Sequence, residues 1–378
     1  MKLRWFKAPT AWLMASAMLA LSACGSAPKP SPQDMGNVKT EQPLVAAWST
    51  KLSGDHALNQ SLTVLAGQLA VASKDGHVHV VQAGNGQLAW QVDLKTGLNT
   101  GPGFDGRSAA VVTRSNELVA MAEGKVLWRN RLTAQSYTNP LVAGERVFLL
   151  LADRSVAAFD LATGQRLWVQ QRTGEALVLK QNGVLMAFQN NLLAGLGGKL
   201  VALNPDNGQV RWELPIANPR GINDLERLVD LVASPSRVNN TVCVRAFQAQ
   251  VGCVDALRGA LLWTRPANGV QGVDGTVTAL AGTETNGVVQ AWNRSTGERL
   301  WDTDRLKYRD LTAPLWTAKG VVIGDAGGYL YVLSSQDGRL LNKLKTPASG
   351  FASSPTALPD GGLVVLTRNG LLQAYQLP

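Results

Sequence analysis

A glycine followed four residues later by a bulky side chain recurs along this chain at Gly86…Trp90, Gly124…Trp128, Gly164…Trp168, Gly208…Trp212, Gly259…Trp263 and Gly297…Trp301. A seventh copy, Gly338…Asn342, keeps the glycine and loses the tryptophan. Successive glycines stand 38, 40, 44, 51, 38 and 41 residues apart, and Trp48 precedes Trp90 by 42. A period near forty with only strand and turn signals inside each unit is the mark of a β-propeller. Because blades close into one ring, the 378 residues form one domain rather than two.

Within each unit the turns are legible. Asp75-Gly76, Asn286-Gly287 and Asn369-Gly370 are hairpin signals, and Gly197-Gly198 and Gly327-Gly328 serve alike. Pro102, Pro140, Pro235, Pro314 and Pro355 open first strands, where no ladder donor is required. Four residues before six of the glycines sit Gln82, Asp160, Asn204, Asp255, Asn293 and Ser334, polar side chains suited to bonding turn backbone; Ala120 breaks the pattern. Four strands per unit follow, with the tryptophan on the outermost strand, where blades diverge and the gap is widest. Seven complete units end at Asn342, and residues 353–377 supply three strands more. The fourth is Leu44 to Ser49, so the expected fold is an all-β, eight-bladed propeller of four antiparallel strands per blade, its last blade closed by the N-terminal strand.

The first residues read differently. Met1 to Lys7 is basic, Ala8 to Ala20 is apolar and too short to span a bilayer, and Leu21-Ser22-Ala23-Cys24 resembles a lipoprotein cleavage site. Residues 1–23 are thus expected to be a signal peptide, with Cys24 acylated. Residues 24–43, with Pro28, Pro30, Pro32 and Pro43, read as a flexible tether, and residues 44–378 as the propeller. Ser26, with no aspartate beside Cys24, favours the outer membrane by the family rule. The net charge of +9 becomes +6 without Lys2, Arg4 and Lys7. No basic stripe interleaves with aromatics, which argues against nucleic acid.

Chemistry is sparse. No Walker loop, Gly-x-Ser-x-Gly or Cys-x-x-Cys occurs, and Gly101 to Gly106 is followed by strand residues rather than a dinucleotide-binding helix. His77 and His79 share a strand face without a third ligand, so no metal and no cofactor is expected. Cys243 and Cys253 lie symmetrically about Gln248. A three-residue loop there would set them opposite each other as a structural disulfide, two buried thiols being the alternative. The longest interval, Gly208 to Gly259, holds a candidate capping box at Asn223 and Glu226, with Leu225, Leu228 and Val232 on one helical face.

The Asp-x-x-Thr-Gly-x-x-x-Trp phrase at Asp160 to Trp168 resembles the repeat of pyrroloquinoline-quinone (PQQ) propellers. The whole chain is similar to that superfamily's outer-membrane assembly lipoproteins. The likeness rests on Ala47-Trp48-Ser49-Thr50, Leu225 to Asp230, Val322 to Asp325, Gly328 to Tyr331 and Ser349-Gly350-Phe351. It implies a non-enzymatic periplasmic scaffold of the β-barrel assembly (BAM) complex. The resemblance further implies that such a scaffold binds the POTRA domains of BamA, has other BAM subunits and unfolded outer-membrane proteins as candidate partners, and aids barrel insertion. The family's two partner-binding loops map onto Leu177, Leu179 and Lys180 and onto Asp230. Lys180 stands where the family carries arginine, and Val232 where it carries a second aspartate. Quinoprotein dehydrogenases share only the repeat, and a cell-envelope binding module is the remaining alternative.

Overall fold

Alternation of apolar and turn residues at this period yields strands and nothing else. In the computed structural model, which describes residues 1, 30–58, 60–171, 178–218, 228–347 and 350–378, there are 32 strands and no helix among the described residues. They pair into eight four-stranded antiparallel sheets. The first blade is Val64–Leu65, Gln68–Ala72, His77–Gln82 and Leu88–Asp93, and the next six follow in chain order. The eighth joins Thr356–Ala357, Leu363–Leu366 and Leu371–Gln376 to Val45–Lys51, with Trp48 opposite Ala374. The expected closure of the ring by its own N-terminal strand is therefore present.

Among the described residues the core is not one cluster but eight, each lying between two neighbouring blades. Leu69, Val71, Val364 and Leu372 fill the seam between the eighth and first blades. Val244 and Val254 meet Leu193 and Leu200 between the fourth and fifth. Burying each such side chain contributes roughly 1.5–3 kcal/mol, so each seam is a substantial share of the stability.

The repeated phrase explains how blades lock together. Except for Trp90, each tryptophan of the repeat packs not on its own glycine but on the glycine turn of the following blade. A Cβ on Gly208 would lie 2.6 Å from the Trp168 ring, one on Gly338 would lie 2.5 Å from Trp301, and one on Gly86 would lie 2.3 Å from Trp48. Four of the indole N–H groups complete the contact. Trp128 donates to Leu161 O (2.7 Å), Trp168 to Pro205 O (2.9 Å), Trp263 to Arg294 O (2.7 Å) and Trp301 to Ser335 O (3.0 Å). Five of the six polar residues four before the glycine tie the turn through their side chains, as Asp160 accepts from the Thr163 N–H (2.7 Å) and Asn293 from the Ser295 N–H (2.9 Å); at Gln82 the turn is tied instead by Asn85, which accepts from the Gln87 N–H (3.0 Å). Each outer strand also carries a bulge immediately before this position, for example at Leu167 between Arg166 and Trp168.

Two departures have physical reasons. At Gly124 the turn shrinks to Glu123 and Gly124, both at positive φ, and the nearest atom to a Cβ there is 3.6 Å away. Ala120 therefore has no longer turn to bond. Asn342 faces the eighth blade, whose outer strand Val45–Lys51 is entered from residues 30–44 rather than through a glycine turn, so there is none for an indole to cover. The segment before that strand covers Asn342 instead. The Glu41 N–H donates to Leu341 O (2.8 Å), Thr40 Oγ1 to Asn342 Oδ1 (3.3 Å), and Glu41 pairs with Arg339 at 2.6 Å.

Some expectations are corrected. Residues 33–43, read as part of a flexible tether, belong to the same compact unit as the propeller, and Met35 packs against the seam between the sixth and seventh blades. Pro235 lies inside Leu231–Val238 rather than before it, in a stretch where the register shifts between Val232 and Ser236. A proline without an amide fits such an irregularity. Val232 belongs to that strand and is 2% exposed, so it shares no helical face with Leu228, while Asn223, Leu225 and Glu226 lie outside the described residues. The signal segment and Cys24 lie outside them too.

Candidate partner-docking site

Three consecutive blades meet at one cluster. The third contributes the turn between Arg146–Leu150 and Val156–Asp160, the fourth its entering loop at residues 178–182, and the fifth its entering residues 228–230. These last two segments hold the sequence-predicted positions, and the structure brings them together. The Leu179 N–H donates to Asp230 Oδ2 at 2.9 Å, while the other carboxylate oxygen lies 3.3 Å from Arg154 Nη2. Arg154 and Asp230 side chains are only 15% and 16% exposed. Lys180 is exposed, with Nζ 5.6 Å from the centre of the Tyr137 ring. Leu177, the remaining predicted position, lies outside the described residues.

Main-chain bonds fix the surroundings. The Phe247 N–H donates to Asp230 O (2.9 Å), the Ala233 N–H to Asn182 O (2.6 Å), and the Gly183 N–H to Thr138 Oγ1 (3.0 Å). A shallow cavity of about 50 Å³ opens beneath the loop, lined by Tyr137, Leu150, Val178, Leu179 and Leu231 among others. Apolar walls beside a lysine and an aromatic ring suit docking of another protein surface better than catalysis. Arg154 was not legible as a site residue. Its only sequence trace is a polar hairpin turn, Asp153-Arg154, in the unit before the loop.

A larger cavity of about 550 Å³ includes Gln60, Asn182, Asp274, Glu284, Asp325 and Ser353 in its lining. Asp274, Glu284 and Asp325 are engaged within the propeller. Asp274 accepts from the Trp316 N–H (2.8 Å) and burial pushes its carboxyl up. Glu284 lies 3.3 Å from buried Arg245, and Asp325 accepts from the Tyr331 hydroxyl (2.7 Å). His77 and His79 have ring centres 6.0 Å apart, with His79 Nε2 sharing a hydrogen bond with Ser53 Oγ (3.0 Å). No group of three His, Cys, Asp or Glu side chains gathers as metal ligands among the described residues. Cys243 and Cys253 pair across the middle of the fifth blade, where the loop between Ala246 and Gln250 does have three residues, and the two are joined by a disulfide with Cα atoms 4.0 Å apart.

The family model described as outer membrane protein assembly factor BamB matches residues 74–303. The chain belongs to the BamB family. Outer membrane protein assembly factor BamB of Burkholderia pseudomallei is 32% identical over 99% of both chains. The crystal structure of BamB from Moraxella catarrhalis superposes with a TM-score of 0.80 at 24% identity, covering 89% of this chain and all of that one. The quinohemoprotein alcohol dehydrogenase of Comamonas testosteroni gives 0.68 at 14% identity, over 92% of this chain and 79% of that one, a likeness of fold alone. Family membership associates the chain with outer-membrane protein assembly, and the dehydrogenase likeness extends no further than the propeller itself.

Proposed function

We propose that this BamB-family chain is a non-catalytic scaffold of the β-barrel assembly machinery that docks the POTRA domains of BamA through the loop carrying Leu179 and Lys180. Acylated Cys24 holds it at the periplasmic face of the outer membrane, and its role is to aid folding and insertion of outer-membrane barrels. The observation that carries this reading is the meeting of the two family-implied segments, remote in sequence, at the bond between Leu179 N–H and Asp230. The docking surface this offers is an apolar side chain and a cation on a braced loop, beside the ring of Tyr137, a residue type that partner hot spots favour.

Leu179→Glu places a charge where a partner's apolar surface would close. With the full-length lipidated chain purified from membranes, BamA co-purification should fall at least tenfold while the melting temperature stays within about 2 °C. Undiminished recovery of BamA would remove the loop from the interface.

A further inference from the structure

We infer that Arg154 is a positioning residue for docking, and that Asp230 serves the interface from within rather than by touching the partner. This rests on the docking reading above. Both carboxylate oxygens of Asp230 are engaged inside the molecule, one with the Leu179 N–H at 2.9 Å and the other with Arg154 at 3.3 Å. The carboxylate thus joins three blades at one point, since Arg154 belongs to the third, Leu179 enters the fourth and Asp230 enters the fifth. A charge-assisted bond to a main-chain N–H sets where that stretch of backbone lies, and with it the direction in which the neighbouring side chains project.

Arg154 is itself held for this task. It sits at φ 62 in its turn, and its N–H donates to Leu151 O at 2.9 Å. Its guanidinium lies against Gly197, where an added Cβ would come within 2.5 Å of Nη1. The glycine of the fourth blade's hairpin is therefore what lets the arginine of the third reach the aspartate of the fifth. Lys180, with Nζ 5.6 Å from the centre of the Tyr137 ring, gives the loop a second attachment to the segment entering the third blade. Removing Arg154 leaves a mostly buried carboxylate without its counter-charge, which favours outward rotation of Asp230 and release of the Leu179 N–H.

Two readouts test this on the full-length lipidated chain in detergent. Amide exchange at Leu179 is measured on the free protein, and affinity is measured by titration with purified BamA. Arg154→Ala should speed exchange at Leu179 at least tenfold and weaken BamA binding about tenfold, with the strand amides of Val156–Asp160 still protected. Arg154→Lys, which keeps a charge within reach, should recover most of both losses. Unchanged exchange at Leu179 in Arg154→Ala would overturn the inference, as would faster exchange with unchanged affinity. Failure of the docking reading is separate, because it shows as indifference of BamA binding to Leu179→Glu, whatever the exchange at Leu179.

Discussion

His79 shows what burial does to a single side chain. It is 2% exposed, and desolvation, helped by His56 and His77 nearby and opposed by Asp75, lowers its pKa from 6.5 to about 4. The folded protein therefore keeps the ring neutral while the unfolded chain takes up a proton near pH 6.5. Stability is complete above that value and is lost as the pH falls from about 6.5 towards 4, by on the order of 2 kcal/mol. His56, lowered mainly by its own burial, adds in the same direction. Thermal unfolding at pH 7.5 and 4.5 should show a drop in the wild type that is visibly smaller in His79→Gln; equal drops would remove His79 as the cause. At this scale the sequence was informative only in part. Leu179 and Asp230 were reachable through family likeness, since nothing in their spacing says that they meet. Arg154 was not reachable at all, because its partner lies 76 positions away and two blades on.

Between residues and the ring, the working element is the turn of one blade seated under the tryptophan of the blade before it. Gly208 combines φ +74 with an indole 2.6 Å from any Cβ, whereas Gly124 has φ +79 and open space to 3.6 Å. Both positions strain a side chain through the backbone, and only Gly208 adds a clash. Gly124→Ala should cost about 1 kcal/mol and Gly208→Ala about 3 kcal/mol in chemical denaturation; equal costs would mean that the indole yields freely. Asn342 gives the converse case. It is 4% exposed beneath Thr40 and Glu41, so restoring the repeat's own residue should harm rather than help. Asn342→Trp is expected to lose about 1–3 kcal/mol and to expose residues 33–42 to protease, and a more stable variant would show that the covering segment is dispensable. Hairpins such as Asn369-Gly370 were readable because the turn requires a positive φ that glycine adopts without strain. The place of Pro235 was not, because an irregular register depends on what the neighbouring blade permits.

For the whole molecule, the recurring glycines counted seven blades, and the three further strands of residues 353–377 together with the isolated Trp48 supplied the eighth and located the strand that closes the ring. Eight inter-blade seams follow from that count, each needing apolar residues from two blades, which is why no single stretch of sequence announces a core. What could not be counted was the course of residues 33–43, because a proline-bearing polar segment gives no period from which contacts with the seventh blade could be read. A closed ring presents its loops at fixed positions around an axis, so a docking face is defined by blade number as much as by side chain. The most direct test places a photo-activated crosslinker at position 179 in intact cells, with position 360, on the eighth blade across the ring, as its control. An adduct with BamA from position 179 and none from 360 is the predicted result. BamA captured from position 360 and not from 179 would contradict the account.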